Sequence, residues 1–145
     1  RDEGDAFISD VLREFSRASV CREIVRLIIQ QYLADDSRRH LTLWKEDPEA
    51  FVAELDVVDD ETEPSSCAEQ LFLALTTSSS TSEACVPIAW EIVNELLAVN
   101  TDETVTAALH AIGLGYAALA TDSSLYVNFL QTRLLPLVSN GCTSP

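Results

Sequence analysis

Methionine is absent from this sequence, glycine occurs only four times, and nine basic residues face 24 acidic ones. Each shortage excludes something. A chain with formal net charge −15 is repelled by phosphate backbones and by anionic membrane surfaces, so neither direct nucleic-acid binding nor membrane insertion is expected of it. No stretch approaches the roughly 18 uninterrupted apolar residues that a bilayer-spanning helix needs. The four cysteines, at 21, 67, 85 and 142, are far apart, with no C-x-x-C pair and no histidine at zinc-finger spacing. They signal neither a metal site nor a disulfide framework, and all four read as reduced, buried small hydrophobes. Gly113-Leu114-Gly115 lacks the G-x-G-x-x-G pattern and a preceding strand, so it carries no phosphate loop. With Arg1-Asp2-Glu3 where a methionine would start a gene product, the chain reads as a fragment of a longer polypeptide.

What the chain does contain is helical periodicity. Its 145 residues are 47% hydrophobic, enough for one core without staples. Val20, Ile24, Leu27, Ile28 and Tyr32 recur at steps of one to four on one helical face, preceded by a shorter run with Phe7, Ile8, Val11, Leu12 and Phe15. Asp47-Pro48-Glu49 reads as a helix start, since Asp caps and Pro tolerates the first turn. The short helix it opens bears Phe51, Val52 and Leu55. Ser66 and Glu69 stand at capping-box spacing before Leu71, Phe72 and Leu75. After the polar tract at 76–82, Ala89, Ile92, Val93, Leu96 and Leu97 resume the stripe, with Pro87 expected in its opening turn. Asn100-Thr101-Asp102 supplies the next cap, followed by Val105, Leu109, Ile112, Tyr116 and Leu119, then a helix with Val127, Leu130, Leu134 and Leu137.

Three hairpins follow, at 5–34, 65–99 and 102–138, the last two about 40 residues apart, which is the HEAT-like period. The expected fold is all-α: an α-α superhelix, a HEAT-repeat solenoid of stacked antiparallel helical hairpins, with residues 1–145 forming one such fragment. No segment alternates like a strand between hairpin turns. An unrelated helical bundle is the competing architecture.

Candidate chemistry is sparse. Both histidines lack a catalytic motif: His110 reads as a structural helix residue and His40, after Arg38-Arg39, as solvated. Trp44 and Trp90 read as core residues, and the two glycines as permitting close helix packing. No catalytic residue, cofactor site or metal site is assigned, and an enzyme is not expected. The feature with a candidate role is an acidic loop at about 54–64, comprising Glu54, Asp56, Asp59, Asp60, Glu61 and Glu63. From Glu46 to Glu63 there are nine acids and no base. The run lacks the D-x-D-x-D-G spacing of a calcium loop, so it is either a solvated segment or a contact for a basic partner.

Trp44-Lys45-Glu46-Asp47-Pro48-Glu49-Ala50-Phe51, the acidic stretch after it and Cys67-Ala68-Glu69-Gln70-Leu71-Phe72 together resemble the central region of the importin-β (karyopherin) superfamily of nuclear transport receptors. Ala108-Leu109-His110-Ala111-Ile112-Gly113 and Leu134-Leu135-Pro136-Leu137 extend the likeness over about residues 20–139, similar to the paired helices of importin-seven-like, importin-eleven-like and exportin-like members, with the importin-eleven-like branch favoured. Where members often carry a basic residue or proline before the Cys-Ala helix, this chain has Ser65-Ser66. The resemblance implies a curved receptor that shuttles between cytoplasm and nucleus and binds protein cargo, the small GTPase Ran and Phe-Gly nucleoporins. A generic HEAT-repeat scaffold or adaptor, for complex assembly or trafficking, is the alternative.

Overall fold

The computed structural model describes residues 2–15, 17–55 and 63–141, and every regular element among them is helical. Helix α1 (Asp2–Phe15) is followed by α2 (Ala18–Leu27), a π-helical turn at Ile28–Leu33, and α3 (Ala34–Glu46), which continue one another without a break. The first hairpin was expected to close at residue 34, where Asp35-Asp36-Ser37 interrupts the apolar stripe. The helix instead runs on to Glu46, because Asp35 pairs with Arg38 (2.8 Å) and Asp36 with Arg39 (3.2 Å) one turn later. The wide turn buries Ile28, Ile29 and Leu33 where two other helices converge on it.

Asp47 breaks the long helix at φ −148° and accepts a hydrogen bond from the Ala50 N–H (3.0 Å), capping α4 (Pro48–Leu55) as its sequence suggests. Helix α5 (Pro64–Thr77) starts at proline with Glu63 before it and no side-chain cap, so the expected Ser66–Glu69 box does not form. Glu69 is drawn instead to a partner on another helix, described below. Helix α6 (Ser82–Val99) begins early, its first bond running from Cys85 N–H to Thr81 O (2.9 Å), which puts Pro87 in the second turn rather than the first. Asn100 ends it in the left-handed region (φ 57°), where asparagine is tolerated. Thr101 and Thr104 then form a reciprocal capping box for α7 (Asp102–Leu114). Gly115 separates α7 from the single turn α8 (Tyr116–Leu119), and Asp122 caps α9 (Ser123–Phe129), which passes through a second π-helical turn into α10 (Leu135–Gly141).

Helices α2 and α6 run in the same direction, since Arg22 pairs with Glu91 (2.7 Å) and Arg26 with Glu95 (3.1 Å) in step. Helices α5 and α7 run against the long helix: Ile28 and Tyr32 lie near Ala68 and Leu71 while Arg39 reaches Glu63, and Asp36 lies near His110 while Arg38 reaches Glu103. The core lies between these four. It holds Val25, Ile29, Leu33, Phe72, Ile92, Val93 and Ala111, all fully buried. Trp90 caps one end of it, packed against Tyr126 and Phe129, and its Nε1–H donates to the Leu119 carbonyl (3.3 Å).

Several expectations for single residues need correction. Trp44 is 53% exposed, although Phe51 of α4 packs against its ring. Cys67 is exposed, facing outward from α5, whereas Cys21 and Cys85 are buried and Cys142 lies outside the described residues. Of Gly113 and Gly115, the second alone serves close packing. A Cβ there would stand 2.8 Å from Phe72 Cε1, but one at Gly113 would meet nothing within 4 Å.

Candidate functional site: an acidic and aromatic corner

The break at Asp47 folds α4 back against the end of α3, and this fixes an aromatic cluster. Trp44 and Phe51 meet edge to face with ring centroids 5.4 Å apart, and His40 also meets Phe51 edge to face, at 5.8 Å. Phe51 is half-buried beneath the pair, so the Trp44 ring is held in place while much of its face stays open to solvent. His40, expected to be solvated, is partly covered and lies 3.4 Å from Asp36 through Nδ1.

Arg39 organises the charges around this corner. Its guanidinium reaches Asp36 Oδ1 (3.2 Å), Glu54 Oε1 (3.1 Å) and Glu63 Oε2 (3.8 Å). Glu54 and Glu63, the two described ends of the acidic loop, are therefore held to a single cation on α3. Asp56, Asp59, Asp60 and Glu61 lie outside the described residues. Arg38 turns the other way, to Asp35 (2.8 Å) and to Glu103 (3.2 Å), and its hydrogen bond with Glu103 holds its pKa above the ordinary arginine value. Lys45 stands 3.9 Å from Asp102. Apart from Asp36, which is 9% exposed, the side chains in these pairs are a third or more exposed, and solvent screens their attraction. Their larger effect is to occupy the bases nearby, leaving a surplus of carboxylates around an exposed indole.

Such a surface suits a basic, extended partner: carboxylates attract Lys or Arg, and an indole face accepts a cation or an apolar side chain. Nucleophilic chemistry finds little support in the buried thiols. Burial, aided by a hydrogen bond with Cys21, pushes the Cys85 thiol up to about 12, so it is not a thiolate at neutral pH.

No family model matches the chain, and no curated protein or solved structure is significantly similar to it. The site is thus read from its own geometry. Sequence reasoning missed Arg39 as the tether of the loop. The signal was present, since Arg38-Arg39-His40 is a basic run just before the acidic one, but its partner lies across two helices. It also missed that His110, on α7, points at Glu69 on α5, with Nε2 2.8 Å from Oε1.

Proposed function

We propose that this chain is a segment of a nuclear transport receptor of the importin-β kind, in which a superhelical stack of helical hairpins presents the acidic and aromatic corner to basic protein partners, cargo or Ran. The observation that carries the proposal is the corner itself. The Trp44-to-Phe51 element is one physical unit in which Asp47 caps, Pro48 opens the helix and Phe51 supports the indole, directly before the acidic loop. Two further features support it. The second helices of the first two hairpins, α2 and α6, run in the same direction, as stacked repeats require. The outer helices expose apolar side chains, Phe7 and Ile8 on α1 and Leu135 and Val138 on α10, the kind of surface that neighbouring repeats cover.

The receptor reading is tested by capturing partners on the polypeptide that contains this chain, with and without Ran carrying GTP. Partners that release or join only with the GTP form support the receptor; a partner set indifferent to Ran refutes it. Replacing Asp56, Asp59, Asp60, Glu61 and Glu63 with their amides tests the loop, and binding unchanged across a salt titration reduces it to a solubilising segment. One observation favours the competing architecture, an unrelated helical bundle. Helix α7 packs on α3 as well as on α6, tying the first and third hairpins together, which a plain nearest-neighbour stack does not require.

A further inference from the structure

Asp36, Glu69 and His110 come from three different helices, α3, α5 and α7, and one donor atom of each lies within 4.8 Å of the others. Their side chains are 9%, 27% and 27% exposed, so the group is set in from the surface rather than spread over it. His110 Nε2 already lies 2.8 Å from Glu69 Oε1, and His40 Nδ1 is 3.4 Å from the second oxygen of Asp36. Two carboxylates carry the charge that one divalent cation cancels, and the imidazole adds a nitrogen donor. The imidazole in the set favours zinc-class ions over magnesium or calcium, which take oxygen donors. Arg39 bonds Asp36 but not Glu69, and it is shared with Glu54 and Glu63. Its side chain is 49% exposed and can turn wholly to those two.

We propose that Asp36, Glu69 and His110 bind a divalent cation of the zinc class, with water completing the coordination and His40 orienting Asp36 from behind. Donors around tetrahedral zinc stand about 3.4 Å apart, so the 2.8 Å gap between His110 and Glu69 would open and the wider gaps would close, by side-chain movements of about 1 Å. The bound ion would tie α3, α5 and α7 together through their side chains.

The chain is titrated with Co²⁺, followed by visible absorption, and with Zn²⁺ by calorimetry. One equivalent binds saturably, Zn²⁺ displaces Co²⁺, and the thermal midpoint rises with Zn²⁺. Asp36→Asn and Glu69→Gln, which keep side-chain size, each weaken uptake at least about tenfold, as does His40→Ala. His110→Ala removes the imidazole, and circular dichroism shows whether each variant remains folded. Absence of saturable uptake overturns the proposal. So does uptake that survives Asp36→Asn and Glu69→Gln, because the exposed Cys67 or the acidic loop would then be supplying the ligands.

Discussion

Phe72 sits fully buried against the backbone of Gly115, and that contact divides two glycines that look alike in the sequence. Gly115→Ala forces a methyl into Phe72 and Leu119 and is expected to destabilise the chain by about 1–3 kcal/mol. Gly113→Ala, at a helical position with open space and ordinary backbone angles, is expected to stabilise by about 0.5 kcal/mol. Urea denaturation midpoints of the two variants should move in opposite directions. The tryptophans divide in the same way. Both are large and apolar in helical runs, so both read as core, yet only Trp90 has α8 and α9 above it to cover the ring and accept its N–H. Residue type told what each side chain prefers; which neighbour arrives was decided by helices far along the chain.

Helix boundaries were legible wherever the cap is local. Asp47 and Asn100-Thr101 act within four residues of themselves, and each does what its position suggests. Ser66 and Glu69 have equally good spacing, but Pro64 opens α5 two residues earlier and Glu69 turns to His110. Thr101→Ala is therefore expected to cost about 1 kcal/mol, and Ser66→Ala to stay within about 0.5 kcal/mol, in chemical denaturation. The passage from α2 through its π-helical turn to α3 was not legible. Polar residues at 35–37 look like a stop, and only the Asp35–Arg38 and Asp36–Arg39 pairs, with the covering α5 and α7, show why the helix continues.

At the scale of the molecule, the Arg22–Glu91 ion pair between α2 and α6 gives stability a dependence on pH. Its hydrogen bond with Arg22 holds the Glu91 carboxyl below the ordinary 4.5, and bonds from Ser124 and Leu125 hold Asp122 below 3.8. Both groups release their protons more readily when folded. Their contribution is complete above those ordinary values and is lost as pH falls through the lowered ones. The thermal midpoint should decline in acid below about pH 4.5, and Glu91→Gln should flatten that decline relative to the parent chain. An unchanged slope would show that the pair does not link the two helices in solution. By itself the sequence determined the helical class, the positions of most helices, the caps and the acidic excess, because periodicity, capping and charge act within a few residues. Tertiary structure alone decided that Arg39 holds both ends of the acidic loop, that Trp44 stays open while Trp90 is covered, and that His110, Glu69 and Asp36 meet. Those pairings join residues from 15 to 74 positions apart, and what brings them together is the burial of the apolar stripes in one common core, on which no local pattern reports.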